Sequence, residues 1–224
     1  MRKIIISSLL ILALTASAQN YEEYYLIPKG QGEEVILKMK NGEEKRGFYR
    51  SVMEPSMTSI EISDTPDGKR VRHKTENISQ LIFLPYPITY KDGKKSFTDT
   101  TYYVKKPLMD GLLKNKLKEN QWVLQHYAGE SIKLYSYYTL DARMRPVCEH
   151  EQYFVQFKDK PAIFISINSH RGGALNEKSE NRKRTAKFFK DYPEFAKRIK
   201  NKEWEWKTSP IEVIKAWEET YDKK

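Results

Sequence analysis

Short segments in which apolar and polar residues alternate, separated by turn sequences, constrain this fold more than any other feature. Residues 35–40 alternate with a period of two, and the Asn41-Gly42 turn that follows them leads to a second such segment at 46–51, which predicts a hairpin. The pattern continues at 59–74 around Pro66-Asp67-Gly68, where Pro presets φ and Gly accepts positive φ, and again at 78–84. About five strands at this spacing predict a compact antiparallel sheet or small barrel.

A second run of strand patterns covers residues 122–167. Strand-like sequences flank the loops at 128–131 and 158–161, so we expect two further hairpins. Between the two runs, leucines at helical spacing predict a weak helix interrupted by Gly111: Leu108, Leu112, Leu113 and Leu117.

The last third of the chain changes to helical periodicity. Residues 181–190 predict one helix, and two more are predicted to begin near Pro193 and Pro210. We expect Asp191 and Ser209 to cap these two helices, since proline in a first helical turn lacks only an amide that had no partner.

These patterns together predict an α+β fold. We expect an antiparallel β-rich body, a small sheet or barrel plus a second hairpin layer, with a C-terminal helical segment. The predicted divisions are a signal peptide at 1–18, an N-terminal β-rich region at 19–105, a second β-meander region at 106–178 and C-terminal helices at 179–224.

The first eighteen residues carry the three parts of a secretory signal peptide in order. Arg2 and Lys3 form a positive region, residues 4–15 are mostly apolar, and Ala16-Ser17-Ala18 matches the cleavage pattern. Cleavage after Ala18 predicts a periplasmic or secreted protein that begins at Gln19. No Cys follows that site and no later apolar segment is long enough to span a bilayer, so we expect neither a lipid anchor nor a transmembrane span.

The net charge indicates candidate binding partners, and the cysteine content limits how the fold can be held together. The formal charge of +10 favours contact with anionic lipid, lipopolysaccharide or glycan, although mixed-sign clusters indicate ordinary solvated faces. Cys148 is the only cysteine, so an intramolecular disulfide is impossible and an apolar core must hold the fold. Such a cysteine is either a reactive or intermolecular thiol or a small buried apolar residue.

Four segments resemble a group of exported proteins of unknown function from Bacteroidota-type bacteria. They are the signal ending ASAQ, the strand–NG–strand unit VILKMKNGEEKRGFY, the hairpin WVLQHYAGESIKLYSYY, and the C-terminal FFKDYPEFAKRIKNKEWEW with IEVIKAWEETY. Members often carry Cys before the proline of the last motif, where this chain has Tyr192. The resemblance implies an envelope protein without an assigned reaction, and it supplies no catalytic residues.

Cys148-Glu149-His150-Glu151 is the densest candidate for chemistry. Cys148 and His150 share one face of a strand, which permits contact between a thiol and a base. Zinc would need three or four ligands, but the other histidines are scattered and no HExxH or paired CxxC occurs. The sequence therefore indicates no metal and no cofactor.

An aromatic and basic strand face is the best candidate for ligand binding. Lys133, Tyr135 and Tyr137 share this face, which is suited to stacking on a sugar, although β-propensity with half-buried packing also explains it. Arg171 in the loop Arg171-Gly172-Gly173 is a further candidate for an anion, but no Lys-Ser/Thr follows to make a P-loop.

The sequence thus favours an exported, non-enzymatic binding or accessory protein whose partner is an envelope protein, a glycan or a lipid headgroup. Nucleic acid is excluded as an expected partner because the chain is predicted to be exported and carries no recognised binding module. The alternatives are a thiol-dependent or other hydrolase that uses Cys148 and His150, and a structural accessory to an outer-membrane assembly.

Overall fold

The computed structural model describes residues 32–51, 53–89, 95–110, 116–141, 148–169, 177–204 and 210–222. This part of the chain is strand-rich and has an α+β fold, as predicted. Its strands are β1 (Glu33–Met39), β2 (Glu44–Tyr49), β3 (Ser59–Ser63), β4 (Val71–Lys74), β5 (Ile78–Phe83), β6 (Pro87–Thr89), β7 (Lys95–Phe97), β8 (Thr101–Asp110), β9 (Lys116–Ala128), β10 (Ile132–Asp141), β11 (Cys148–Phe157) and β12 (Ala162–Ser169). Its helices are α1 (Glu177–Phe188), α2 (Pro193–Lys200) and α3 (Ile211–Tyr221).

Ten of the described strands form one sheet, in the order β12-β11-β10-β9-β8-β5-β1-β2-β3-β4. Strands β6 and β7, which follow β5 and precede β8 in the sequence, form a separate two-stranded ribbon. Neighbours in the large sheet are antiparallel, and β12 also pairs in parallel with β8, where Ala162 lies opposite Leu108. This extra pairing closes β8 to β12 into a five-stranded ring.

The predicted hairpins are confirmed. Strands β1 and β2 pair across Asn41-Gly42, and Gly42 takes a φ of 88°, a value that glycine adopts without the steric cost of a Cβ. At the turn between β3 and β4, the amide of Gly68 donates to the carbonyl of Thr65 at 3.0 Å. The loop at 128–131 connects β9 to β10, and the loop at 158–161 connects β11 to β12.

The weak helix predicted from the leucines around Gly111 is wrong. Leu108 lies in β8 and Leu117 in β9, which are paired antiparallel, whereas Leu112 and Leu113 lie outside the described residues. Leu108 is fully buried inside the ring, so the packing of β8 overrides its helical spacing. The predicted domain boundary between 105 and 106 falls within β8, which pairs with both β5 and β9.

Three apolar clusters make up the core of the part of the chain that the structure describes. The first lies in the β1–β5 half and includes Trp122 of β9, which therefore ties the two halves of the sheet together. The second fills the ring and includes Leu108 and Phe154. The third lies between the ring and the helices and contains Leu134, Phe189 and Trp217 among others.

The helices begin differently from the prediction. Tyr192, not Asp191, occupies the N-cap of α2, and no side-chain hydrogen bond caps that helix, although Pro193 is its first residue as expected. The N-cap of α3 is Pro210, and Ser209 lies outside the described residues. Packing of the apolar faces of α2 and α3 on the ring therefore positions their first turns without a side-chain cap.

Helix α1 is joined to β12 by polar side chains. The buried amide of Asn181 accepts from the backbone amide of Ile167 at 3.1 Å and donates to the carbonyl of the same residue at 2.7 Å. Buried Thr185 donates to the carbonyl of Ile165 at 3.5 Å. Asn181 thus satisfies backbone groups of β12 as a neighbouring strand would, and it fixes α1 on the ring.

Candidate binding surface

The aromatic face predicted to bind a ligand points into the ring. Tyr135 is 0% exposed and Tyr137 is 8% exposed, and the Tyr137 ring stacks on Phe154 at 5.3 Å between centroids. The Tyr135 hydroxyl donates to Gln156 Oε1 at 2.9 Å. These rings are not presented to a ligand at the surface, and their packing accounts for the alternation seen in the sequence.

Lys133 is half-buried on the same strand. Lys106 Nζ lies 5.5 Å from the centre of the Tyr135 ring, and burial lowers the pKa of Lys106, as does the positive charge of Lys133. The structure thus brings Lys106, Lys133 and Tyr135 to one part of the ring, while Arg171 lies outside the described residues.

The pair considered for thiol chemistry lies at the start of β11. Cys148 is the first residue of the strand, and its side chain lies outside the described part of the structure. His150 is half-buried and lies opposite Thr139 of β10 and Ser169 of β12. The backbone therefore places both residues on one strand two positions apart, as predicted.

A buried polar network joins β9, β10 and β11. The carboxylate of Glu151 accepts from the Ser136 hydroxyl at 2.8 Å and from the Tyr153 hydroxyl at 2.5 Å. His126 Nε2 lies 2.6 Å from Ser136 Oγ and 3.4 Å from Glu151 Oε1. Ser136 is 0% exposed and the His126 side chain is 23% exposed, so the histidine is the member that reaches solvent.

A β-bulge makes this network possible. The register between β9 and β10 shifts at His126, which is the extra residue on β9. A bulge points a side chain to the opposite face of the sheet from the one that regular alternation predicts. Here the bulge brings His126 to the face that carries Ser136. Sequence patterns missed the network because they assume unbroken alternation, and no local signal marks the bulge.

The arrangement of His126, Ser136 and Glu151 stabilises the Glu151 carboxylate and does not activate the Ser136 hydroxyl. In a serine hydrolase triad the acid holds the imidazole through the nitrogen opposite the serine. Here the Glu151 carboxylate and the Ser136 hydroxyl meet the same nitrogen of His126. Burial alone would raise the pKa of Glu151, but hydrogen bonds from His126, Tyr153 and Ser136, together with the charge of His126, hold it below its ordinary value.

Helix α3 is held on the β9–β10 hairpin by two acidic residues one turn apart. The Tyr127 hydroxyl donates to the carboxylate of Glu218, a bond that, with burial, raises the pKa of Tyr127 to about 12. The amide and hydroxyl of Ser131 donate to the carboxylate of Asp222 at 3.1 and 2.6 Å. Gly129 lies directly under Glu218, and a Cβ at this position would overlap the carboxylate.

The outer faces of α1 and α2 carry an excess of positive charge. Residues 177–202 contain ten Lys or Arg against four Asp or Glu, so this segment has a net charge of +6, against +10 for the whole chain. On α1, Lys183 and Lys187 are exposed at i and i+4, which places them on one face, and exposed Lys190 follows in the turn after the helix. The opposite face is buried against the ring.

Helix α2 repeats this arrangement. Lys197, Lys200 and Lys202 are exposed, whereas Phe195 and Ile199 are buried. We use the name basic surface for six exposed lysines on these two helices and on the turns that follow them: Lys183, Lys187, Lys190, Lys197, Lys200 and Lys202. The sequence does contain a signal for this surface, namely the net positive charge of residues 177–202. An inspection of the whole chain does not reveal it, because clusters of mixed sign occur elsewhere.

Few carboxylates neutralise this segment. In the described part of the chain, its ion pairs are Lys183 with Glu180 at 2.8 Å and Arg198 with Glu203. Both pairs are exposed, so each contributes little to stability and is readily exchanged for another anion. The basic surface is therefore free to attract anionic groups from solution.

Partly exposed aromatic rings lie beside the basic surface. Tyr221 of α3 is 36% exposed, and its ring lies 4.8 Å from that of half-buried Tyr192, the residue before α2. Trp204 is half-buried, and the Arg198 guanidinium lies 4.9 Å above its ring. We call Tyr192, Trp204 and Tyr221 the aromatic rim.

No protein-family model, curated protein or solved structure matches this chain. None of the helices in the described ranges has the length and apolar composition needed to cross a membrane. Likewise, the described residues include no group of three or more His, Cys, Asp or Glu placed to hold a metal ion. The functional conclusion therefore rests on the geometry of the described surface.

Proposed function

We propose that this chain is an exported, non-enzymatic binding protein that attaches to an anionic partner in the cell envelope through its basic surface. The observation that carries the proposal is the concentration of charge: residues 177–202 hold a net +6 of the total +10, with lysines on the outer faces of two helices. Surfaces with a net excess of positive charge raise the local concentration of polyanions and speed their association.

The chemistry of the surface indicates the class of partner. Lysine carries a compact charge on a flexible stem, which suits repeated phosphate, sulfate or carboxylate groups better than one fixed ligand. Buried Asn181 and Phe189 anchor α1 on the ring, so the lysines project from a rigid support. Lipid headgroups and acidic glycans both present such arrays of anions.

Retention on immobilised heparin across a series of salt concentrations tests the proposal. Replacing Lys183, Lys187 and Lys190 by Gln should weaken retention by about 100-fold in apparent affinity, since each of the three lysines near an anionic surface contributes about 1 kcal/mol. Added salt should reduce the difference between the variant and the parent protein.

A matched triple variant controls for net charge. Lys69, Arg70 and Lys160 are also exposed but lie outside the helices, and replacing them by Gln removes the same charge. The control should bind heparin nearly as well as the parent protein. If both variants lose the same affinity, net charge and not the basic surface is responsible, and the proposed site is wrong.

The thiol-enzyme alternative has its own test. We expect Cys148→Ser and His150→Ala to leave heparin retention and the cellular role of the protein intact, because the basic surface contains neither residue. Complementation of a deletion strain with each variant measures the cellular role. A folded Cys148→Ser protein that fails to complement would favour the enzyme over the binding protein.

A further inference from the structure

We infer that the anionic partner is the headgroup layer of a lipid bilayer, and that the aromatic rim enters this layer beside the basic surface. This inference rests on the proposed function and names its partner. It starts from two features that lie together on the helices, namely exposed lysines and partly exposed Tyr and Trp rings.

The aromatic rim packs on the helices that carry the lysines. Lys190 precedes Tyr192 by two residues in the turn between α1 and α2, where the Tyr192 amide donates to the Phe189 carbonyl at 2.9 Å. The Tyr221 ring lies 4.8 Å from Tyr192 and 6.1 Å from Phe195 of α2. The rim is thus continuous with the lysine-bearing helices.

A bilayer uses both kinds of side chain. Tyr and Trp favour the interface between water and hydrocarbon because each has an apolar ring with one polar group. Lysine stems lie along the apolar boundary while their ammonium groups reach phosphates. A sugar would need an open ring face to stack on, but Trp217 already stacks on the Tyr221 ring and the Arg198 guanidinium lies over the Trp204 ring. These rings therefore favour the headgroup layer of a bilayer over a glycan.

The structure also supports shallow attachment in place of insertion. Trp217 and Phe189 lie beneath the rim and are fully buried, and the Tyr221 and Trp217 rings stack at 5.8 Å. Among Trp217, Phe189 and the three rings of the rim, the rings of the rim are therefore the ones that lipid can reach without unfolding the helices. Surface binding through charge plus a small apolar area is the mode of interfacial attachment.

Co-sedimentation with vesicles tests the inference, using protein recovered after export from an expressing cell. Vesicles of phosphatidylglycerol and phosphatidylcholine should bind the protein, and vesicles of phosphatidylcholine alone should not. Tyr221→Ser should lower partition to the anionic vesicles by about five- to tenfold, from the ring area withdrawn from water, while retention on heparin stays unchanged.

Tyr102→Ser is the matched control, because Tyr102 is 38% exposed but lies on β8. It should bind vesicles like the parent protein. Equal losses in both tyrosine variants, or none in Tyr221→Ser, would overturn the inference. Loss of heparin retention in the lysine variant with no vesicle binding by the parent would leave the proposed function standing and reject the bilayer.

A measurement on the parent protein avoids any effect of substitution on folding. Brominated lipid quenches tryptophan fluorescence only at short range. Vesicles that carry bromine near the headgroups should therefore quench part of the emission of the four tryptophans, of which Trp204 lies in the rim. Vesicles of the same composition without bromine should produce no such quenching. Vesicle binding without quenching would show that charge alone holds the protein, and would remove the aromatic rim from the inference.

Discussion

Replacing Glu151 by Gln tests whether the network on β9–β11 stabilises the fold through a carboxylate. The parent carboxylate accepts from Ser136, from Tyr153 and from His126, and its two oxygens can serve all three donors. Gln has nearly the same shape but only one acceptor oxygen. One of the two buried hydroxyls must therefore face an NH₂ group and lose its acceptor.

The expected cost follows from that lost acceptor. A buried donor without a partner costs about 1–3 kcal/mol, and Ser136 and Tyr153 are both buried. Loss of the carboxylate oxygen that faces His126 adds to this, so we expect Glu151→Gln to lower the free energy of unfolding by about 2–4 kcal/mol. The Glu130→Gln variant, at an exposed hairpin position, should change it by less than about 0.5 kcal/mol.

The pH dependence of stability separates the effect of the Glu151 charge from the effect of its side-chain shape. The pKa of Glu151 in the fold lies below its ordinary value of 4.5, so the ionised carboxylate stabilises the folded protein at pH above that value. This contribution is lost as the pH falls below 4.5 toward the lowered pKa. The difference in stability between parent and variant should therefore persist at pH above 4.5 and shrink as the pH falls below that value.

Denaturant unfolding of both proteins between pH 3 and pH 7 measures this difference directly, and subtraction cancels the other carboxylates that the two proteins share. A difference that stays constant across the range would mean that the charge of Glu151 contributes nothing. An unchanged unfolding midpoint at pH 7 would refute the network as a source of stability.

Two further changes probe the docking of the helices. Gly129→Ala should displace the Glu218 carboxylate and lower the free energy of unfolding by about 1–2 kcal/mol. It should also return the pKa of Tyr127 from about 12 toward 10, which absorbance titration of the tyrosines would detect. An unchanged titration would contradict the contact. Asn181→Ala should leave the backbone groups of Ile167 without partners and cost about 2–4 kcal/mol, and a thermal melt within about 1 °C of the parent protein would show that water replaces the amide.

Local patterns were sufficient for much of the sheet. The hairpin at Asn41-Gly42 and the strands around the loops at 128–131 and 158–161 were predicted correctly, because turn residues and period-two alternation depend on neighbours in sequence. Pro193 was correctly predicted to open a helix for the same reason.

The sequence by itself thus determined an α+β fold, the hairpins, a core without disulfides and the amount of charge in residues 177–202. Only the tertiary structure decided that Leu108 belongs to a strand, that β12 closes a ring with β8, and that Tyr135 faces its interior. It also decided that His126 meets Glu151, through a bulge that alternation does not anticipate. The physical reason is that strand pairing and burial join residues far apart in sequence, and these contacts override the preferences of short segments.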